Sequence, residues 1–350
     1  MPSGYANDYR RRDLGKLPPL GTQQYRHPSL YSSTSLPRQY FCIEGHINGI
    51  STKIWTLTTE EKETTHRQLC ENIKFKILGY LRTEEYSLKI LSKSRNRGYA
   101  VKIITWNCNG GFRKKYHSLD CFDADLLVIQ ECEDPAQSTQ DYRTWAGDYI
   151  WIGESKNKGI GVFPRKDHSV EQLKWHGSFK ITGLCSTSLS LSWSTSDLRL
   201  FLPFRLSNGI TALAVWTKGR ESQAFGYIGQ FWKYLQIHRT ELAGDRTMIL
   251  GDFNSNAQWD KPDRWWSHSD TVTELETIGL LSLYHQQTQD KPGAETKPTF
   301  YLQKKHEKPY HIDYVFLTSA LSKGAKLEVG RYEQWIPLSD HMPITFELKV

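Results

Sequence analysis

Several apolar runs of the sequence end abruptly in side chains that could bind a metal ion or move a proton. The runs KIITW, DLLVIQ and TMILG are each followed by carboxylate or amide residues, HIDYVFL encloses an aspartate, and PLSDHMPITF places an acid beside a histidine. The residues concerned are Asn107, Asn109, Glu131, Asp252, Asn254, Asp313, Asp340 and His341. Oxygen ligands with one imidazole suit metal-assisted hydrolysis.

Each of these residues, taken alone, also has a structural explanation. An aspartate such as Asp252 after a strand commonly forms a turn by hydrogen-bonding its own backbone, Glu131 could be a solvated strand end, and Asp340 with His341 could cap a turn. Asp313 is different, because an acid inside an apolar run is costly to bury unpaired and needs a partner such as His341 or a metal. Together, the set indicates a catalytic site.

These residues fall in five motifs, TWNCNG, IQECE, GDFNSN, HIDYVF and SDHMP. Their order and rough spacing resemble those of the endonuclease/exonuclease/phosphatase superfamily, and residues 101 to 350 look most like its exonuclease III-like bacterial branch. The resemblance implies a hydrolase of phosphate esters that uses Mg²⁺ or Mn²⁺. The substrate stays open, since that superfamily also cleaves phospholipid head groups, inositol phosphates and RNA tails.

The resemblance also implies roles for the metal ligands. Glu131 is the expected principal ligand, assisted by Asn107 and by Asp340. Mg²⁺ prefers hard oxygen ligands and keeps several waters, so one or two carboxylates with an amide oxygen are enough.

Attack on phosphorus needs an aligned water as well. Asp252 resembles the aspartate that orients or deprotonates this water, and Asn254 would hold the water or a phosphate oxygen. His341 would donate to a non-bridging oxygen or add positive charge there, with Asp313 or Asp340 fixing its tautomer. Gly251 is expected to allow a close approach of the chain before Asp252.

One element departs from the pattern of the superfamily. In many relatives the strand matching ITALAVWTKG carries an Asn-x-His or a tyrosine that contacts the phosphate, whereas here the candidates are Trp216, Thr217 and Lys218. We expect Lys218 to supply the positive charge, and the alternative is a solvated lysine at a strand end.

Nucleic acid is the first expected substrate, with DNA ahead of RNA. Asn109 and Arg113, followed by Lys114 and Lys115, come after the first motif, where they would meet the phosphate backbone. Trp259 lies beside the catalytic loop and could stack on a base. Trp265 and Trp266 follow it, and such rings are also commonly core or loop anchors.

Three functions fit these residues. The first is a metal-dependent nuclease. A phosphoesterase acting on a small or lipid phosphate is the second and would be indifferent to added DNA. The third, a catalytically silent nucleic-acid-binding module, would keep binding after Glu131→Ala and would never cleave.

The elements that must position the site are mainly short strands. Eleven β-branched or aromatic runs end in Gly, Pro, Asn or Asp, which is typical of strands. They are VKIITWNCNG, DLLVIQE, YIWIGES, GIGVFP, LRLFLPFRL, ITALAVW, TMILGDF, PTFYLQ, HIDYVFL, KLEVG and ITFELKV. Packing so many strands favours an α+β protein, a four-layer α/β sandwich of two packed mixed sheets flanked by helices.

Two helices are predicted from apolar residues at helical spacing. The first carries Phe225, Ile228, Trp232 and Leu235, and the second carries Val272, Leu275 and Ile278. Thr271 and Glu274 match a capping box for the second helix.

Residues 1–99 are expected to form a basic N-terminal extension, and residues 100–350 the catalytic domain. The first forty residues lack apolar periodicity, as in a poorly ordered leader. YFCIEGHINGISTKIWTL then alternates like strands, residues 69–81 have helical spacing, and SKSRNRGYA is a plausible linker.

Charge and composition narrow the expected partners. The net charge is +7, and residues 1–99 hold 16 Lys and Arg against 9 Asp and Glu, which leaves 29 of each for residues 100–350. The basic excess is therefore confined to the extension. It suits a polyanion such as nucleic acid, and it is also what an ordinary solvated surface carries. We find no membrane-helix run, no secretory signal, no C-x-x-C pair and no sign of an organic cofactor, so we expect a cytoplasmic protein with reduced cysteines and no membrane partner.

Overall fold

The computed structural model describes the backbone of residues 39–47 and 50–58, and the backbone and side chains of residues 100–183, 191–219 and 225–349. The chain divides into two units, Met1–Arg95 and Asn96–Val350. Three predicted segments lie outside the described residues: residues 1–38 of the leader, the helix over residues 69–81, and residues 92–99 of the linker.

The first unit contains a hairpin of two strands. Strands β1 (Gln39–Ile47) and β2 (Ile50–Thr58) pair antiparallel, with Ile47 opposite Ile50. The strand character predicted from the alternation of YFCIEGHINGISTKIWTL is confirmed.

The second unit is built mainly from strands. These are β3 (Ala100–Asn107), β4 (Leu126–Cys132), β5 (Ile150–Ser155), β6 (Lys158–Pro164), β7 (Val170–Gln172), β8 (Ser178–Lys180), β9 (Ser192–Ser194), β10 (Phe201–Leu206), β11 (Thr211–Trp216), β12 (Thr247–Asp252), β13 (Leu280–Ser282), β14 (Phe300–Tyr301), β15 (Pro309–Tyr310), β16 (Asp313–Thr318), β17 (Lys326–Val329) and β18 (Ile344–Lys349). All eleven predicted runs form strands. The strands that prediction missed, β7, β8, β9, β13 and β15, have two or three residues each, too few to show a period of two.

Helices are shorter and lie between the strands. The α-helices are α1 (Gln140–Ala146), α2 (Ile228–Leu242), α3 (His268–Thr277), α4 (Leu283–Thr288), α5 (Ser319–Ser322) and α6 (Tyr332–Trp335). Short 3₁₀ helices cover Phe112–Lys114, Tyr116–Phe122, Pro135–Gln137, Thr195–Asp197, Ala257–Trp259 and Leu302–Lys304. Among the helices of the described residues, none combines the length and apolar character that crossing a membrane needs.

Two mixed six-stranded sheets form the centre of the second unit. One has the strand order β17-β18-β3-β4-β6-β5, and the other has the order β13-β16-β12-β11-β10-β7. In the first sheet β3 and β4 run parallel, in the second β11 and β12 run parallel, and the remaining neighbours are antiparallel.

Alternation along the strands explains why these sheets pack face to face. In β3, Val101 and Ile103 point into a core that they share with Leu250 of β12. The alternate residues Ile104 and Trp106 point to the opposite face of the same sheet and enter a second core. A strand buried on both faces needs a covering layer on each side.

Helices supply those covering layers. Tyr142 of α1 packs in the core outside the first sheet. On the far side, Leu235 of α2 and Leu275 of α3 pack with Ile249 of β12. The order of helix, sheet, sheet and helix confirms the predicted four-layer α/β sandwich.

The predicted capping box of α3 is wrong by one turn. The helix begins after Ser267, whose side chain and that of Asp270 satisfy each other's backbone N–H groups. Thr271 is buried within the helix, and Glu274 accepts hydrogen bonds from α2, one of them from Trp232 Nε1 at 2.8 Å. Both pairs fit the same sequence rule, and contacts between the two helices decide which pair caps.

Candidate active site

The two parallel strand pairs bring the predicted motifs together. Asn107 ends β3 and Asp252 ends β12, and these strands lie in different sheets of the sandwich. Asn107 Nδ2 donates to Asp252 Oδ2 at 2.8 Å. Both residues are almost fully buried, so this bond joins the sheets at the carboxyl ends of their central strands.

The loop after β12 is ordered by its own polar side chains. Asn254 donates to the Asp252 carboxylate twice, from its backbone N to Oδ1 and from Nδ2 to Oδ2, both at 2.8 Å. Asn254 Nδ2 also lies 3.0 Å from the Thr217 carbonyl oxygen. Asn254 has a φ of +45°, which an asparagine tolerates better than most residues. The loop therefore holds the Asp252 carboxylate in one orientation.

Gly251 is required for this arrangement. Its φ is +136°, and a Cβ atom at this position would lie 2.0 Å from the Val215 carbonyl oxygen on β11. Only glycine combines that backbone conformation with so close a neighbouring strand.

Asp313 and His341 form the second part of the site. Asp313 begins β16 and lies opposite Asp252 in the sheet register, while His341 precedes β18. His341 Nδ1 lies 2.9 Å from Asp313 Oδ2, and both side chains are buried. Ser339 fixes the approach of His341, since its Oγ accepts from the His341 backbone N and donates to the Asn107 carbonyl oxygen.

Burial and mutual charge control the ionisation of these groups. Removal from water raises the pKa of Asp252 to about 7, against the opposing charge of His341. Burial disfavours the imidazolium of His341, but the carboxylates of Asp313 and Asp252 raise the pKa of the imidazole to about 9. The charged form of His341 is therefore stabilised beside the carboxylates at neutral pH.

Glu131 reaches the site through an irregularity in β4. The register against β6 shifts between Gln130 and Cys132, and Glu131 itself has a φ of +61°. Such a bulge redirects a side chain that would otherwise follow the strand. Glu131 Oε1 accepts from Asn107 Nδ2 at 3.3 Å, and Oε2 accepts from Lys158 Nζ at 2.6 Å.

The donor set fits a hard divalent cation. Asp252, Asp313 and His341 offer ligand atoms that all lie within 4.8 Å of one another. Glu131 Oε1 lies beside them, because Asn107 Nδ2 donates both to it and to Asp252 Oδ2, while the Asn107 amide oxygen accepts from the Asn109 backbone N. Three carboxylates with one imidazole suit a divalent ion such as Mg²⁺ or Mn²⁺.

Several predicted residues lie at the edge of this cluster. Asp340 adjoins His341 in the chain, and its charge helps to raise the pKa of that imidazole. Lys218 Nζ donates to Glu154 Oε2 at 2.8 Å and lies 4.8 Å from the centre of the Trp216 ring. The structure therefore directs the Lys218 ammonium toward Glu154.

The residues predicted to bind substrate lie near the same end of the sandwich. The Asn109 backbone N donates to Asn107 Oδ1 at 2.9 Å, and its own side chain is exposed. Arg113 forms an ion pair with buried Glu133. Trp259 is 45% exposed and contacts the ring of Tyr310.

The other two predicted tryptophans belong to a separate cluster. Trp265 is 49% exposed and packs edge-on against Trp232 at 5.0 Å between ring centres. Trp266 lies 4.2 Å from the Phe225 ring. The anchoring alternative describes Trp266 better, while Trp265 keeps one exposed face.

Some residues of the site escaped sequence reasoning. Lys158 is the ion-pair partner of Glu131, and Phe300 lies 4.6 Å from the His341 ring. Phe300 in turn stacks on Tyr310 at 6.3 Å. The polar residue after an apolar run was the signal used, and none of these three carries it.

Similarity to known proteins agrees with this geometry. The sequence profile of the Endonuclease/Exonuclease/phosphatase family matches residues 104–341, more than half of the chain, and the chain belongs to that family. Membership supports hydrolysis of phosphate esters as the chemistry of the site. Among curated proteins, none matches this sequence.

Solved structures show the same fold. The 3′ phosphatase NExo from Neisseria, bound to a product DNA hairpin, is similar at 20% identity with a TM-score of 0.51 over 71% of this chain and 100% of that chain. The 3′-5′ exonuclease NExo from Neisseria meningitidis has 18% identity and a TM-score of 0.51 over the same shares.

Proposed function

We propose that this protein is a Mg²⁺- or Mn²⁺-dependent phosphodiesterase that hydrolyses nucleic acid, with DNA as its first substrate. The observation that carries the proposal is the buried junction of Asn107, Asp252, Asp313 and His341 at the carboxyl ends of the central strands. Family membership gives the reaction class. The aromatic rim of the site, formed by Phe300, Tyr310 and Trp259, suggests the substrate.

The residues of the site have different roles in an in-line attack by water on phosphorus. Asp252, held by Asn107 and Asn254, orients the attacking water and accepts its proton. His341, held by Asp313, donates to a non-bridging phosphate oxygen and adds positive charge there. Glu131 and Asn107, with Asp340 nearby, would hold the divalent ion, which would supply positive charge to neutralise the leaving oxygen.

The rim favours nucleic acid over a small ester. Phe300, Tyr310 and Trp259 form a series of ring contacts from His341 to an exposed indole. Exposed aromatic rings stack on bases of any sequence. In the similar Neisseria structure a DNA hairpin is the bound product, which makes DNA the first substrate to test.

A small or lipid phosphate is the second candidate. The buried charges of the cluster would act on the phosphate group alone, so they would serve any phosphodiester equally. The aromatic rim is the feature that a small ester leaves unused.

The test is hydrolysis of labelled single-stranded, double-stranded and abasic-site DNA, and of RNA, with Mg²⁺, Mn²⁺ or a chelator. Asp252→Asn and His341→Gln should each lower the rate on the order of a hundred- to a thousandfold. Asp141→Asn and His117→Gln are matched controls, since both side chains are exposed and lie on other elements.

The outcomes separate the candidates. Chelator-sensitive cleavage that is lost in the two site variants and kept in the controls would support a nuclease. Cleavage of a small phosphodiester with no cleavage of any nucleic acid would favour the second candidate. Binding of DNA that survives Glu131→Ala, with no hydrolysis by the parent protein, would leave a silent binding module.

A further inference from the structure

A polar cavity lies next to the loop that follows β12, which we call the catalytic loop. It has a volume of about 240 Å³. It is lined by Glu154, Arg199, Leu200, Lys218, Gly219 and Gln230. Thr217, the residue before Lys218, accepts the hydrogen bond from Asn254, so the cavity begins one residue away from the catalytic loop.

Two cations of this cavity face one carboxylate. Lys218 Nζ lies 2.8 Å from Glu154 Oε2, and Arg199 Nη1 lies 4.0 Å from Glu154 Oε1. The Lys218 and Arg199 side chains are 41% and 61% exposed. One carboxylate cannot neutralise two cations, so the pair and Glu154 together carry positive charge toward solvent.

An aromatic ring adjoins these cations. The Tyr227 backbone N donates to the Lys218 carbonyl oxygen at 3.1 Å, and a Cβ atom on Gly219 would lie 2.4 Å from the Tyr227 ring. Tyr227 has a φ of +51° and is 51% exposed. Leu200 on the cavity wall also has a positive φ, +64°. Strained backbone of this kind persists where surrounding structure holds it, often at ligand sites.

We propose that this cavity is a subsite for an internucleotide phosphate of the substrate strand, away from the scissile bond, and that the Tyr227 ring stacks on an adjoining base. The subsite rests on the proposed nuclease function and names a second contact for the same strand. An arginine can bind two oxygens of a phosphate at once, and stacking on tyrosine tolerates any base. Lys218 thus binds a phosphate next to the reacting one, whereas the sequence analysis expected it to contact the reacting phosphate itself.

Glu154 gives the subsite a distinctive property. In the free protein its carboxylate accepts from Lys218 and lies 4.0 Å from the Arg199 guanidinium, so an incoming phosphate competes with it for these cations. Removing this negative charge should strengthen strand binding, whereas removing either cation should weaken it. A purely structural role for these residues gives no reason for opposite signs.

Strand binding is measured in the Asp252→Asn background of the full chain with Mg²⁺, by fluorescence anisotropy of a labelled single-stranded DNA across a series of salt concentrations. Arg199→Gln should reduce the slope of log affinity against log salt by about 0.7. Tyr227→Gly should weaken binding roughly tenfold, and Tyr227→Phe should restore it. Glu154→Gln should tighten binding, and Arg205→Gln, an exposed arginine on β10, should leave it unchanged.

Steady-state cleavage gives the second readout. With the Asp252 side chain intact, Arg199→Gln and Tyr227→Gly should raise KM for the DNA strand several-fold, with a smaller change in kcat. Wild-type affinity and KM in both variants, with cleavage still abolished by Asp252→Asn, would overturn the subsite and leave the nuclease standing. Absence of both binding and cleavage of nucleic acid by the parent protein would overturn both proposals.

Discussion

Replacing Gly251 by alanine tests whether the close approach of β11 and β12 sets the position of Asp252. The added Cβ would lie 2.0 Å from the Val215 carbonyl oxygen, and real Cβ contacts stay above 3.0 Å, so one strand must move by at least 1.0 Å. The φ of +136° adds strain of about 1–3 kcal/mol for a residue other than glycine. Breaking one buried backbone hydrogen bond between these strands costs about a further 1–3 kcal/mol of unfolding free energy. The expected loss of unfolding free energy is therefore about 2–6 kcal/mol.

Gly279→Ala provides the matched control. Gly279 also has a positive φ, +82°, but a Cβ atom there meets nothing within 4 Å. This variant should show the backbone strain alone, about 1–3 kcal/mol. Urea unfolding of both variants separates the strain from the clash, because the difference between them reports the clash.

Activity adds an independent measurement. Asp252 directly follows Gly251, and a displacement of about 1 Å at a catalytic group can cost on the order of a hundredfold in rate. Gly251→Ala should therefore lower kcat/KM strongly under conditions where the variant is folded, and Gly279→Ala should not. Equal stability losses in the two variants, with the wild-type rate in Gly251→Ala, would refute the reasoning.

Three further predictions follow from the same contacts. His341→Gln and Asp313→Asn should each lower kcat/KM on the order of a hundred- to a thousandfold, and the double variant should lose little more, because the two side chains act as one unit. If the two losses of activation free energy add in the double variant, the residues act independently. Mg²⁺ at a hundred times its Kd should stabilise the fold by about 2.7 kcal/mol relative to chelator, seen as a rise in melting temperature. Glu131→Gln should remove most of that rise, and an unchanged rise would exclude Glu131 as a ligand. Burial raises the pKa of Glu295, but hydrogen bonding, first with His285, lowers it to about 2 from an ordinary 4.5. Its stabilisation is thus present above pH 4.5 and lost as pH falls toward 2, so the stability gap to Glu295→Gln, from urea unfolding, should narrow over that range; a constant gap would contradict it.

The sequence predicted strands best where the residues of one strand alone determine its burial. Runs such as KIITW are buried on both faces of a sheet, so their apolar character and length predict strands directly. The ends of parallel strands meet at one edge of a sheet, so polar residues placed there converge. Asn107 and Asp252, 145 positions apart, lie at such ends of central strands in the two sheets, and the face-to-face packing of the sheets brings them together.

Contacts set by the register between distant strands could not be predicted in this way. Lys158 pairs with Glu131 because a bulge in β4 turns that carboxylate toward the start of β6. Arg113 follows the first motif as a substrate residue would, yet it also pairs with Glu133 across the loop. Spacing along the chain carries no information about either partner.

Asn256, the second asparagine after Asp252, holds the loop that follows β12 against β16. Its Nδ2 donates to Glu295 Oε2 and to the His311 carbonyl oxygen, both at 2.9 Å, and to the Tyr314 hydroxyl oxygen at 3.2 Å. The residue is fully buried. The amide nitrogen of Asn256 is therefore surrounded by acceptors. A carboxylate has the same shape but no donor to offer them, so it cannot replace the amide.

Asn256→Asp should cost on the order of 3–5 kcal/mol of unfolding free energy at pH 7, because it buries a second negative charge against Glu295 and removes the donor. Adding Glu295→Gln should recover part of the loss, since an amide then faces the new carboxylate. Asn208→Asp is the control: Asn208 Oδ1 accepts from the Ile210 backbone N, a role that a carboxylate keeps. Urea unfolding compares all the variants. If Asn256→Asp is as mild as the control, or if the double variant recovers nothing, then the amide does not hold the loop as its contacts indicate.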